Sequence, residues 1–319
     1  MLNKISDFLC KVCTYIFVRI VCPTTDGLKT CLDVINLEFN ILNGHLQIFF
    51  RGRPFYWGLK YKQRVADNKR LIILANGPSL NEDLGRLRKE DLSNADFLMM
   101  NFSSDSELFQ EFKPKYYCLA DHMFFKKDYR YERVQKMFSA LNSTLDWDMT
   151  LFIAYNIKVV QKFSGLNNPQ IKYQRIFPLE SKGPKVFQRW VCKCGYAIPG
   201  LGTVANMAAY IGIQYGYKQI EFCGNDMSFF DGICVNDDNI VCISMKHFYE
   251  KDAILKPIML DNIKKQSLES YVDMVLNMIK GHNRIAEYGG GLGIRFVNRT
   301  RKSMLDCYPR LIKESPEEF

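Results

Sequence analysis

The segment Arg70 to Leu80, RLIILANGPSL, constrains this chain most, because the apolar run Leu71 to Ala75 leads directly into an Asn-Gly-Pro-Ser turn. A continuous apolar run marks a strand buried on both faces, as in a parallel sheet covered by helices. In open α/β sheets ligands settle at the carboxyl ends of strands, and a glycine turn there lets backbone amides approach a phosphate. The segment therefore predicts a nucleotide site. It lacks a full GxGxxG fingerprint, and the same turn also reads as a plain connection in which Gly77 serves the bend and Ser79 caps the next helix.

Beyond it, short apolar runs alternate with amphipathic stretches. The expected fold class is α/β, a Rossmann-like, doubly wound, mainly parallel sheet. Predicted strands are Leu71 to Ala75, Asp96 to Asn101, Tyr116 to Ala120, Thr150 to Ala154, Gln219 to Cys223 and Ile294 to Asn298. The clearest helices are Thr203 to Tyr215, stopped by Gly216, and Ser267 to Lys280, stopped by Gly281, with Leu268, Val272, Val275, Leu276 and Ile279 at helical spacing. Between Asp226 and Lys264 the periodicity fails, which predicts a substrate lid over about 227–263 within a catalytic domain spanning 69–319.

The net charge of +9 is uneven: eleven basic against five acidic residues lie at or before Arg70, among many apolar and aromatic side chains. Residues 1–68 therefore read as a basic amphipathic helical segment lying on an anionic membrane surface, or else packing on the main domain. Lys11, Arg19 and Pro23 break the run that a spanning helix of about 20 apolar residues requires. No helix-turn-helix, zinc-finger or RNP-like pattern accompanies the charge, so no nucleic-acid partner is expected. The eleven scattered cysteines, with no cleavable secretory signal before them, predict reduced thiols in the cytoplasm, Cys118, Cys223 and Cys242 acting as small buried hydrophobes. Together these place the chain at the inner face of the cell membrane.

Three predicted strands finish in polar residues: Asn76 and Ser79, then Asn101, Ser103 and Ser104, then Gly224, Asn225 and Asp226. Neutral amides and hydroxyls hydrogen-bond ribose, base edges and phosphate without the desolvation cost of added charge, so their convergence would make a site. The ANGPSL turn, the Asn ending the second strand and the run GTVANMAAYIGIQYGYKQIEFCGNDMSFF together resemble the bacterial sialyltransferases of glycosyltransferase family 42 over roughly residues 70–303.

That resemblance implies a Rossmann-like domain with a lid, a CMP-activated donor and no essential metal or other cofactor. It implies that Asn76, Gly77 and Ser79 form the nucleotide-phosphate turn, that Asn101 lies near the nucleotide, that Gly224 and Asp226 close the later strand, and that Thr203 lies near the polar residue opening the small-residue helix. The chain departs from the family in two ways. Phe229 and Phe230 stand where it has tyrosines that hold the leaving phosphate, and no arginine lies near Leu201. Tyr249, Lys246 or Lys251 would have to compensate, and the donor sugar widens from sialic acid to another acidic sugar such as Kdo.

Inverting sugar transfer needs a base for the acceptor hydroxyl, and imidazole titrates near neutrality. Of four histidines, His247 in the lid is the predicted base, near where the similar family carries its catalytic histidine, with Asp226 and Tyr249 as its catalytic companions. His122, ending a strand, is expected to line the donor site, whereas His45 and His282 lie outside the predicted crevice. Asp237 and Asp238 read as surface turn residues, not metal ligands. The expected function is transfer of an acidic sugar to a cell-surface glycan or glycolipid, and an assembly of identical copies is compatible with the sequence. Two alternatives stay open: an ATP-dependent enzyme similar to pterin diphosphokinases, with Asp226 and Asp121 holding magnesium, and a non-catalytic envelope-assembly protein.

Overall fold

A computed structural model of the protein describes residues 68–125, 127, 131–154, 157–181, 185–245, 254–260 and 264–311. The chain divides into two units, one of residues 1–58 with 181–197, the other of 59–180 with 198–319. In the first, the described helix is α5 (Lys185–Lys193), with Val191 and Cys192 buried and Trp190 exposed. Everything below concerns the second unit.

Its centre is a sheet of β1 (Arg70–Leu74), β2 (Ala95–Met100), β3 (Tyr116–Leu119), β4 (Met149–Ile153), β5 (Ile171–Arg175), β6 (Gln219–Cys223) and β12 (Arg295–Asn298), in the order β12-β6-β1-β2-β3-β4-β5. Every neighbouring pair in it is parallel. The chain steps outward from β1 to β5 and then returns to the other side of β1. Direction therefore reverses between β1 and β6, and an open parallel sheet leaves a crevice beyond the strand ends at that point.

The apolar runs dictate this arrangement. Leu71 to Leu74 are fully buried, because alternate side chains enter opposite layers. Ile72 and Leu74 join Leu80, Leu84 and Leu87 of α1 (Leu80–Leu87), Phe109 and Phe112 of α2 (Glu107–Phe112), and Met137, Phe138 and Leu141 of α3 (Tyr131–Thr144). Helix α4 (Ile157–Ser164) adds Val160 to the same layer. Burying each such leucine is worth about 1.5–3 kcal/mol. The opposite layer holds α6 (Val204–Tyr215), buried continuously from Ala205 to Ile213. Gly212 lets it lie close on the sheet, since a Cβ there would come within 2.6 Å of Leu71 Cδ2 and 2.9 Å of Ile220 Cδ1.

The six predicted strands match the observed ones within one residue at each end, and Gly216 ends α6 in the left-handed conformation, φ +85°. Three expectations change. Strand β5 was not predicted, because at the sheet edge its sequence IKYQR buries only Ile171 and shows no apolar run. Helix α7 spans Leu268–Gly290, so Gly281 does not stop it. That glycine instead admits a neighbouring backbone, as a Cβ there would lie 2.6 Å from the Leu201 carbonyl oxygen. The stretch expected to lack regular elements contains an antiparallel sheet of β7 (Ile233–Val235), β8 (Val241–Met245) and β9 (Ile254–Pro257), followed by the antiparallel pair β10 (Met259–Leu260) and β11 (Lys264–Lys265).

Asp237 and Asp238 are exposed in the β7–β8 turn, where Asn236 Oδ1 accepts from the Asp238 amide at 3.2 Å. Cys118, Cys223 and Cys242 are buried free thiols, as small hydrophobes should be. Among the described residues, no helix is long and apolar enough to cross a membrane. The basic segment expected to meet a membrane lies, up to residue 67, outside the described residues.

Candidate functional site

The turn after β1 is bonded to the turn after β6. The Ala75 amide donates to the Cys223 carbonyl at 2.9 Å, and the Gly77 amide to the Gly224 carbonyl at 2.9 Å. Both glycines are required for this approach. A Cβ on Gly77 would lie 1.9 Å from Asp226 Oδ2 and 2.4 Å from the Gly224 oxygen. Gly224 adopts φ +65°, and its Cβ would meet Leu80 Cβ at 2.8 Å. The segments bound a cavity of about 140 Å³, lined by Asn76, Gly77, Thr203, Asn225, Asp226 and Phe229 among others.

Asp226 is buried at its edge, and its Oδ2 accepts from the Ser79 amide at 3.4 Å. Burial raises its carboxyl above the usual carboxylate range, Ser79 opposing the shift and the charge of Asp83 adding to it. Ser79 makes no side-chain cap to α1, so the expected capping role is replaced by this amide contact. Asn76 ties the turn sideways to the end of β2: its Nδ2 donates to the Met100 carbonyl at 3.3 Å, and its Oδ1 accepts from Ser103 Oγ at 2.9 Å. Asn101, next in the chain after β2, holds φ +56°, a region asparagine tolerates better than most residues. Its Oδ1 is buried with no partner among the described residues.

The opposite wall is the first turn of α6. Thr203 caps it with a full capping box, its Oγ1 accepting from the Asn206 amide at 3.2 Å while Asn206 Oδ1 accepts from the Thr203 amide at 3.0 Å. Thr203, Val204 and Ala205 line the cavity, so the positive end of the α6 dipole faces it. Opposite, the buried Asn225 has an Nδ2 with no partner among the described residues. The cavity thus presents helix-end amides, a tight glycine turn and amide side chains, a surface suited to an anionic, hydrogen-bonding ligand.

Behind the crevice stands a polar support that sequence reasoning missed. Asp83, buried in α1, accepts from the Gly224 amide and from Thr300 Oγ1, each at 2.7 Å, and pairs with Arg86. Burial raises its carboxyl, with these hydrogen bonds acting against the rise. Thr300 Oγ1 also accepts from the Asn225 amide at 3.0 Å, and Ser303 Oγ donates to the Asn225 carbonyl at 2.7 Å. The signal was available, because Asn298, Arg299 and Thr300 end the last predicted strand in polar residues like the three strands chosen.

The structure thus brings Asn76, Gly77, Thr203, Gly224 and Asp226 around one cavity, with Ser79 and Asn101 adjoining it. His122 opens the turn His122–Phe125 after β3, two strands from β1 in the sheet. His247 and Tyr249, with Lys246 and Lys251, lie outside the described residues. Asp121 and Asp226 follow β3 and β6, which are separated by three strand spacings of about 4.8 Å, about 14 Å in all. Among the described residues, no three His, Cys, Asp or Glu side chains group as a metal site.

His282, expected to lie outside the crevice, does not line the cavity but touches its wall. Fully buried in α7, it places Nε2 3.1 Å from Thr203 Oγ1 and Nδ1 3.0 Å from the Tyr308 hydroxyl. Burial lowers its pKa to about 3. The unfolded chain takes up this proton near pH 6.5 while the native ring does so only near the lowered value, so stability is complete above pH 6.5 and declines on acidification, by up to about 1.4 kcal/mol per pH unit. His282→Gln is expected to lose this part of the slope. Urea unfolding of both proteins at pH 7 and pH 5 measures it, the difference isolating the ring from the buried carboxylates. Parallel pH dependences would show that His282 protonates normally in the native state.

No protein-family model matches the chain, and a search of curated proteins finds no match. Among solved structures, the MAf glycosyltransferase from Magnetospirillum magneticum AMB-1 is similar over 78% of this chain and 34% of that one, at 12% identity and a TM-score of 0.46. This chain therefore spans about a third of that protein's length. The sialyltransferase CstII from Campylobacter jejuni, in complex with a substrate analogue, CMP-3FNeuAc, is similar over 76% of this chain and 86% of that one, at 15% identity and a TM-score of 0.41.

Proposed function

We propose that the protein is a glycosyltransferase that binds a CMP-activated acidic sugar, of sialic acid or Kdo type, in the crevice between β1 and β6 and transfers it to a glycan or glycolipid acceptor. One observation carries this reading. The residues that bear the family resemblance, Asn76, Gly77, Thr203, Gly224 and Asp226, are spread over 150 residues of chain, and they meet around a single cavity at the reversal point of the sheet. The glycine turn gives the phosphate an approach to backbone amides, and the α6 N-terminus favours negative charge on the ligand.

In this reading the enzyme's own groups bind and orient the donor, and His247 takes the acceptor proton during inversion, with Tyr249 helping to hold the leaving phosphate in place of the absent family tyrosines. Asp226, whose acid form burial favours, positions the β1 turn through the Ser79 amide and stays close to the donor. The basic first segment, by the same proposal, holds the enzyme against an anionic membrane where a glycolipid acceptor resides.

Calorimetric titration with CMP, UDP, GDP and ATP, each with and without magnesium, tests the donor class. CMP is expected to bind without magnesium. Asn101→Ala should weaken CMP by about three- to thirtyfold, the range of one lost hydrogen bond of about 0.7–2 kcal/mol, with little change in melting temperature, because its Oδ1 has no partner within the described residues. Asn76→Ala should weaken CMP and also lower stability, since its amide joins two strand ends. Binding of ATP with magnesium in preference to CMP would overturn the proposal.

A further inference from the structure

We propose that His282 is a positioning residue of the crevice, fixing the Thr203 hydroxyl and with it the first turn of α6 as a rigid ligand-binding wall. The inference rests on reading the crevice as the donor site, but its physical content is a coupling between two named side chains.

The entry loop of α6 lies directly on α7 because three glycines allow it. A Cβ on Gly200 would fall 2.1 Å from the Gly281 oxygen, one on Gly281 2.6 Å from the Leu201 oxygen, and one on Gly202 2.8 Å from Met278 Cα. This contact of backbones delivers His282 to Thr203. The Thr203 hydroxyl has one hydrogen, which goes to Asn206 Oδ1, and its lone pairs accept from the Asn206 amide and from His282. With the proton on Nε2 the ring donates to Thr203 Oγ1, and the Tyr308 hydroxyl is then shared between Nδ1 at 3.0 Å and the His282 carbonyl at 3.3 Å. Tyr308 is itself buried and stacks on Phe222 of β6, with ring centroids 4.6 Å apart.

The chain Tyr308, His282, Thr203 thus runs from the core behind β6 to the cavity wall. Each member has the donor or acceptor that the next one lacks. Deep burial keeps the ring neutral, so the link holds across the physiological pH range. A merely space-filling aromatic at position 282 would need no such match, and an unpaired ring nitrogen would be costly there.

The test uses the full chain with His282→Leu, His282→Gln, Tyr308→Phe and Thr203→Val, and the double variant His282→Leu/Thr203→Val. Hydrogen exchange of the amides of residues 203–206 reports on the wall without ligand, and calorimetry with CMP reports on the site. His282→Leu is expected to speed exchange at those amides and to weaken CMP about tenfold, and His282→Gln, which keeps a donor toward Thr203, is expected to restore CMP affinity to within about threefold. In the double variant the His282→Leu effect on CMP should vanish, because its partner hydroxyl is already gone. Tyr308→Phe, a milder change should His282→Leu fail to fold, is expected to speed the same exchange.

Additive effects in the double variant, or unchanged exchange at 203–206 in both His282→Leu and Tyr308→Phe, would overturn the positioning role and leave His282 a packing residue. Failure of the unaltered protein to bind CMP would overturn the donor-site reading instead. The exchange measurement still decides the coupling in that case.

Discussion

Gly77→Ala is expected to lower stability by about 3 kcal/mol and to abolish CMP binding, the most damaging single methyl group that the crevice can receive. The added carbon would stand 1.9 Å from Asp226 Oδ2 and 2.4 Å from the Gly224 oxygen, and neither neighbour can retreat freely. Gly224 is held by the Asp83 carboxylate at its amide and is itself in the left-handed region, while the Asp226 carbonyl accepts from the Met304 amide at 2.8 Å. The β1 turn must move outward, breaking the Gly77 to Gly224 hydrogen bond and opening the cavity. Gly85→Ala is the matched control. Gly85 sits exposed within α1 with open space around it, so the same methyl there should stabilise by about 0.5–1 kcal/mol through helix propensity alone. Urea unfolding of both variants gives the comparison, and a loss below about 1 kcal/mol for Gly77→Ala would show that the two turns are not interlocked.

That contrast shows what was legible in the chain. Strands buried on both faces announce themselves by unbroken apolar runs, so β1, β2, β3, β4, β6 and β12 were placed from residue type alone. The edge strand β5 buries a single apolar residue and left no such mark. Glycine was harder to read. Gly77 and Gly281 carry the same letter, yet one closes a turn against a carboxylate and the other opens a helix to a passing loop, and only the partner across the gap distinguishes them. Of the α7 residues at helical spacing, Val275 is buried, whereas Leu268, Val272 and Leu276 are 46%, 40% and 41% exposed, and the core side continues through Tyr271, His282 and Ile285. Periodicity identifies a helix without telling which of two amphipathic registers meets the sheet.

The site divides in the same way. Polar residues at strand ends gave Asn76, Asn101, Gly224 and Asp226, because only a binding surface or a turn explains polarity where an apolar run stops. The support behind them, Asp83, Thr300 and Ser303, comes from a helix interior and from the segment after β12, more than 200 residues apart for the Asp83 to Thr300 bond. Local spacing holds no information about such a pair. His282 is remote in the chain from the strand ends, and of the three glycines that bring α7 against Thr203, Gly281 reads from sequence as a helix stop while Gly200 and Gly202 carry no signal of the contact.

Removing the carboxylate of Glu221 should be the most destabilising change away from the cavity. Glu221, fully buried in β6, accepts from Arg70 Nη1 at 3.2 Å and bonds Arg299 Nε, while Arg299 reaches Glu90 through Nη1 at 2.6 Å and Nη2 at 3.0 Å. Burial pulls the Arg299 guanidinium down, but Glu90 and Glu221 outweigh it and hold its pKa above the ordinary arginine value. The Arg299 hydrogen bonds in turn hold the Glu90 carboxyl below its ordinary value. Glu221→Leu leaves Arg299 buried with only Glu90 as counter-charge and strips Arg70 of its inner partner. Breaking a buried ion pair from one side costs about 3–5 kcal/mol. The loss should reach the crevice, because Arg299 adjoins Thr300, whose hydroxyl links Asp83 to the Asn225 amide. Glu221→Leu/Arg299→Leu is expected to lose less than the sum of the two single variants, since no charge is then stranded between β6 and the segment after β12. Urea unfolding of the two single variants and the double variant measures that difference. Strict additivity would mean that the two charges do not depend on each other, and the Glu221–Arg299 pair would then be no anchor for the wall that holds Asn225.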